Sequence, residues 1–290
     1  MARLLKGMHE INNDLYDLYL IDLWGVIHDG EHIFNEAKEC LYQLLDLKKT
    51  IVFLSNSPKR SYIIQNHLQK MGLPKNLKYT IYTSGEYAYK ELNSNRITRK
   101  NETKIKAFFL GPSHHEKFKE GLPFEFVRDI TNSNLIINTG FIREGDKIEN
   151  YQDILELAKA KNLTLHCINP DFFAIDCGRK ILCAGLIADK YQALEGTVIY
   201  YGKPHSPIYH SIYNQYKIPK GRMLAIGDSL YSDIKGAKSF GIASVLILSG
   251  IHAMNADCLS LNTSKITEKA QALFKEKNIS PNYMMMHFKW

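Results

Sequence analysis

The sequence predicts an α/β protein: a doubly wound parallel sheet core with an inserted α/β cap domain. Three observations lead there. Short β-branched or aromatic runs alternate with helical patterns at both ends of the chain. Several of these runs stop abruptly at an acid, at Ser-Asn or at Gly-Asp, the residue types of turns at strand ends. Between them the alternation starts again with strands of its own, which places a cap at about residues 84–180 and a discontinuous core at 1–83 and 181–290.

Residues 16–22 (YDLYLID) read as a buried strand running into a turn at Trp24-Gly25. Residues 36–47 carry Ala37, Cys40, Leu41, Leu44 and Leu45 at helical spacing. Residues 50–54 (TIVFL) are a strand stopped by Ser55-Asn56-Ser57-Pro58, and 61–71 a helix closed by Gly72. In the second half, strands are expected at 197–201, 223–226 and 243–248, with helices at 208–216 and 233–240. Residues 282–290 suit a last edge strand, since Pro281 before them fits an edge. In the cap, 104–110, 133–138 and 164–168 are strand-like and 151–160 helical.

The composition narrows the function classes. With 290 residues and 45% apolar content the chain can bury a full core. The net charge of +7 is scattered, and its densest stretch, 96–106, is broken by Asn, Thr and Glu, so no nucleic-acid partner is expected. Five cysteines (Cys40, Cys167, Cys177, Cys183, Cys258) without a CxxC spacing argue against a disulfide framework or a zinc site. No apolar run reaches the roughly 18 residues of a membrane span, and residues 1–10 lack a signal-peptide core. The expectation is a reduced, cytoplasmic protein with no membrane partner.

Ligands of an open parallel sheet bind outside the carboxyl ends of its strands. Asp22, Ser55-Asn56, Gly202-Lys203-Pro204 and Gly227-Asp228 each follow a strand, and Asp233 lies a helical turn further on. Acids, a hydroxyl and a lysine on one edge suit a phosphoryl group with Mg²⁺, a hard cation that prefers oxygen ligands. His114-His115 lacks the i, i+4 spacing of a helical metal site and reads as a solvated loop, and Met284-Met285-Met286 as strand packing.

The segments DLWGV, LSNS, GKP and GDSLYSD, in that order, resemble the four motifs of the haloacid dehalogenase superfamily. The long insert between the second and third, with Asn169-Pro170-Asp171, the Leu182-Cys183-Ala184-Gly185 stretch and GKPHSPIY, is similar to the class IIA branch, which includes 4-nitrophenyl phosphatases and sugar-phosphate phosphatases. The resemblance implies a Mg²⁺-dependent phosphohydrolase acting on a small phosphorylated metabolite, and a homodimer through the cap. It makes Asp22 nucleophile and metal ligand, with Trp24 (through its backbone carbonyl), Asp228 and Asp233 completing the metal set. Lys203 and Asp233 support catalysis, and Ser55, Asn56, Lys203, Asn169 and Asp171 bind substrate.

One position departs from the pattern. Most phosphatases of the superfamily carry a second aspartate, which protonates the leaving oxygen, where this chain has Trp24. An indole N–H is no such acid, and general acid–base help is worth about 10²–10⁴-fold in rate. Activated leaving groups suffer least from the loss. His28 and Asp29 are the nearby candidates to replace it. Two further readings follow: a phosphate-ester-binding regulatory protein with little turnover, and a phosphotransferase.

Overall fold

A computed structural model describes residues 2–94, 104–176, 179–251 and 263–290. It divides into two compact units, one of residues 1–55, 64–82 and 209–290, the other of 56–63 and 83–208.

The first unit is built on a seven-stranded sheet. Its strands are β1 (Arg3–Leu5), β2 (Leu18–Ile21), β3 (Thr50–Ser55), β4 (Thr80–Thr83), β12 (Met223–Gly227), β13 (Ala243–Ile247) and β14 (Tyr283–Met285), in the order β1-β14-β13-β12-β2-β3-β4. The pairings from β1 across to β3 are parallel. Strand order runs one way from β2 and the other way from β12, so the sheet reverses between them. β2 and β12 are buried along their whole length, as central parallel strands must be.

Helices cover both faces. α1 (Asn35–Asp46) buries Ala37, Cys40, Leu41 and Leu44, the stripe that its spacing predicts, and packs with Tyr19, Ile21 and Phe53. α2 (Ser61–Lys70) adds Ile64 and Leu68. α7 (Lys235–Phe240) and α8 (Thr263–Lys277) also belong to the unit, the latter packing Ile266 and Phe274 on Leu246 and Met284.

The second unit has its own parallel sheet of five strands, β5 (Lys106–Leu110), β6 (Glu125–Val127), β7 (Leu135–Asn138), β8 (Thr164–Cys167) and β11 (Thr197–Tyr200), ordered β11-β8-β7-β5-β6. An antiparallel hairpin joins β9 (Phe173–Asp176) and β10 (Arg179–Leu182). Among the described residues, the α-helices that belong here or begin here are α3 (Ser84–Asn93), α4 (Gln152–Ala160), α5 (Ala184–Ala193) and α6 (Ser206–Tyr216). Leu155, Ala158, Ile187 and Tyr191 form the core on one face of the sheet and Ala88, Leu92 and Phe118 on the other.

Three expectations need correction. The strand expected in the core at 197–201 is β11, an edge strand of the five-stranded sheet paired with β8. Its alternating exposure, with Ile199 43% exposed, is that of an edge and not of a buried central strand. Likewise, a return to the core at residue 181 would cut β10; residues 181–208 pack within the second unit. The C-terminal strand is not an edge either. β1, a strand too short to read from sequence, pairs outside β14, and Pro281 precedes the ladder and so removes no bond from it. Among the described residues no helix is long and apolar enough to cross a membrane. Cys40, Cys167 and Cys183 are free and buried. Cys177, Cys258 and most of the basic stretch at 96–106 lie outside the described residues.

Candidate active site

Asp22 follows β2 and Asp228 follows β12, the two strands between which the sheet order reverses, where the carboxyl ends of an open sheet leave a crevice. Asp233 arrives by a different route. Instead of one helix over 233–240, a π turn spans Leu230–Ile234 before α7 begins. The N–H groups of Asp233 and Ile234 both donate to the Ser229 carbonyl, which folds the acid back toward the end of β12. Carboxylate oxygens of Asp22, Asp228 and Asp233 come within 4.8 Å of one another, and the residues are 9%, 7% and 3% exposed.

Backbone groups hold this cluster in place. Asp228 Oδ2 accepts the Ile251 N–H at 2.7 Å, and Asp233 Oδ2 the Ser229 N–H at 3.1 Å. Gly25, Gly227 and Gly250 leave the space that the carboxylates fill: a Cβ on Gly25 or Gly250 would collide with Asp228, and one on Gly227 with Asp233. Three carboxylates this close repel by about 1–4 kcal/mol per pair unless a cation lies among them. The donor set is all hard oxygen. Charge, donor type and crowding therefore fit Mg²⁺. Among the described residues, no other group of three His, Cys, Asp or Glu side chains converges in this way.

Trp24 sits in the turn directly after Asp22, half-buried, with its ring 5.1 Å from that of His28 and edge-on to it. His28 is 2% exposed, and its Nδ1 accepts the Gly30 N–H at 3.0 Å. Burial, then the neighbouring His67, pulls its imidazole down to about 4. Asp29 faces solvent and caps the turn, its Oδ1 accepting the Glu31 and His32 N–H groups at 2.9 and 2.8 Å. These bonds, the His32 one foremost, hold it below the usual carboxylate range. Neither side chain is set up as a proton donor.

Ser55 closes β3 in the first unit and is 3% exposed. Asn56, Asn169, Asp171 and Lys203 belong to the second unit, where they form one network. Asn56 Nδ2 donates to Asp171 Oδ1 at 2.9 Å and to the Lys203 carbonyl at 2.8 Å. Its Oδ1 accepts the Lys203 N–H at 2.8 Å, and Asn169 Oδ1 accepts the Asp171 N–H at 3.0 Å. His114-His115, expected in a solvated loop, lies in a 3-10 helix (Ser113–Lys119) with His114 exposed and His115 half-buried; burial and then the neighbouring His114 draw the His115 imidazole down to about 4. The π turn that delivers Asp233 is the feature sequence reasoning missed; Ser229, whose side chain accepts the Ser232 N–H, was its available signal.

Comparison with known proteins bears on the family and the fold. Residues 19–122 match the family model described as haloacid dehalogenase-like hydrolase, and residues 200–268 match one described as HAD-hydrolase-like. The ribonucleotide monophosphatase NagD of Escherichia coli (strain K12) is 24% identical over 249 residues, 81% of this chain and 89% of the relative. Chronophin of Bos taurus is 23% identical over 260 residues, covering 81% and 82%. The structure of a haloacid dehalogenase-like hydrolase from Brucella suis 1330 superposes with a TM-score of 0.81 at 27% identity, over 98% of this chain and 99% of that one.

Proposed function

Because this chain belongs to the haloacid dehalogenase-like hydrolases, in their class IIA branch, we propose that it is a Mg²⁺-dependent phosphohydrolase that cleaves small phosphate monoesters through an aspartyl-phosphate on Asp22. The observation that carries this reading is the convergence of Asp22, Asp228 and Asp233 where the sheet order reverses. Similarity to a ribonucleotide monophosphatase and to chronophin supports the phosphatase class.

Asp22 Oδ attacks phosphorus in line, and the bond to the leaving oxygen breaks. Water then cleaves the aspartyl-phosphate, releasing inorganic phosphate and restoring the carboxylate. Asp22, Asp228, Asp233 and the Trp24 carbonyl would hold the metal, which when bound supplies charge neutralisation to the phosphoryl oxygens. By the family resemblance, Ser55 would supply a hydroxyl donor to phosphoryl oxygens and Lys203 a cation for a phosphate dianion.

The engaged Nδ1 of His28 and the capping role of Asp29 favour a second reading, a phosphate-ester-binding protein with slow turnover. Phosphate release from 4-nitrophenyl phosphate and a panel of phosphorylated metabolites, with and without Mg²⁺ and beside Asp22→Asn, decides between them. Mg²⁺-dependent release that Asp22→Asn abolishes supports the enzyme. Binding without release in both proteins replaces it with the second reading.

A further inference from the structure

Asn56 ties two loops of the second unit together, and the bonds its side chain makes leave that side chain nothing to offer a phosphate. A primary amide has two N–H donors and one acceptor oxygen. One donor of Asn56 goes to Asp171 and the other to the Lys203 carbonyl, while its oxygen takes the Lys203 N–H. A phosphoryl oxygen at neutral pH only accepts, so binding one would require Asn56 to give up a bond that it already makes inside the protein, where it is 4% exposed. The far side of its oxygen is closed as well. A Cβ on Gly202 would stand 2.5 Å from Asn56 Oδ1, 2.9 Å from Ser84 Cβ and 3.2 Å from Pro170 Cδ. Only glycine lets the chain pass this amide and continue into Lys203.

We propose that the side chains of Asn56 and Asp171 position Lys203 and make no contact with the phosphoryl group. The proposal rests on the phosphatase reading, in which Lys203 is the phosphate-binding cation. Both backbone polar groups of Lys203 are clamped by one side chain, so the lysine side chain starts from a fixed point. Asp171 takes the second N–H of the amide, in the orientation that the Lys203 N–H and carbonyl already require. A carboxylate in direct contact with a phosphate dianion would instead repel it. Asn169 anchors Asp171 by taking its N–H.

Exchanging the two side chains tests this. Asn56→Asp alone faces two carboxylates toward each other and sets an acceptor against the Lys203 carbonyl, whereas Asp171→Asn keeps an oxygen for the Asn56 N–H and loses only the charge. The double exchange N56D/D171N remakes the bond between the two side chains with donor and acceptor reversed and keeps an acceptor for the Lys203 N–H, while the bond to the Lys203 carbonyl stays lost. Turnover of 4-nitrophenyl phosphate is expected to fall about tenfold or more in Asn56→Asp, to fall less in Asp171→Asn, and to recover in part in the double exchange, the coupling of directly bonded partners. A second readout needs no turnover: the rate at which an N-hydroxysuccinimidyl ester acylates Lys203, followed by peptide mass spectrometry. It should rise most in Asn56→Asp and fall back part of the way in the double exchange. An Asn56→Asp variant indistinguishable from wild type in both readouts overturns the proposal, as does a double variant no better than Asn56→Asp in both. A wild type without turnover would sink the phosphatase reading, and Lys203 acylation would still decide whether the clamp exists.

Discussion

Gly25 and Asp228 meet with no room for one more carbon. Gly25 has φ +70°, and a Cβ built on it would fall well inside 3.0 Å of Asp228 Oδ2, a separation that real Cβ atoms do not show. Gly25→Ala therefore combines a backbone cost of roughly 1–2 kcal/mol with displacement of a carboxylate of the acidic cluster. Gly72 separates the two effects, because it has φ +97° and nothing within 4 Å of its would-be Cβ. Both alanine variants are expected to melt earlier. Only Gly25→Ala should also weaken Mg²⁺ binding, by about tenfold or more in a calorimetric titration. Equal Mg²⁺ affinity in the two variants would mean that Asp228 is no ligand.

The Trp24 position predicts how rate depends on the leaving group. Without a proton donor beside Asp22, the departing oxygen leaves as an anion, so turnover should track its acidity steeply. Across a series of substituted phenyl phosphates, log kcat/KM is expected to fall strongly as the phenol pKa rises. Trp24→Asp should flatten that line, gaining about 10²-fold on an alkyl phosphate while changing 4-nitrophenyl phosphate little. A shallow wild-type slope would show that another group supplies the proton.

Which parts of this design were legible depends on how local their causes are. Asp22 and Asp228 could be read because each ends a short apolar run, and strand ends in a parallel sheet line up by construction. The sheet to which 197–200 belongs could not, because β11 is as short and apolar as a core strand and only its partner β8 assigns it. The π turn at Leu230–Ile234 was hidden for a similar reason: a helical periodicity at 233–240 does not reveal that one turn has widened. The fate of the Asn56 amide lay furthest out of reach, since its partners are 115 and 147 residues away in the chain.

The acidic cluster should be a liability without its ion. Carboxylates within 4.8 Å destabilise the metal-free fold, and neutralising one removes two repulsive pairs. Asp228→Asn keeps an oxygen that can accept the Ile251 N–H. In EDTA this variant is expected to melt higher than wild type, by the few degrees that about 1 kcal/mol corresponds to in a chain of this size. In Mg²⁺ the order should reverse, because stabilisation by a ligand grows with its affinity for the folded state. A variant that melts lower in both buffers would show that the charges are compensated by the protein itself.

His166 gives a pH dependence of definite sign. It is 5% exposed, its Nδ1 lies 2.8 Å from the Tyr201 hydroxyl, and burial draws it down to about 4. In the unfolded chain an imidazole titrates near 6.5. Between those values the unfolded state takes up a proton that the folded state refuses, so stability is lost as pH falls from about 6.5 toward 4 and levels off below. For this one group the loss between pH 7 and pH 5 comes to about 2 kcal/mol. His166→Gln keeps a polar partner for Tyr201 without the titration. Urea unfolding of the two proteins at pH 7 and pH 5 should show wild type losing about 2 kcal/mol more than the variant. Equal losses would place the pH dependence on other groups and show that His166 charges within the fold.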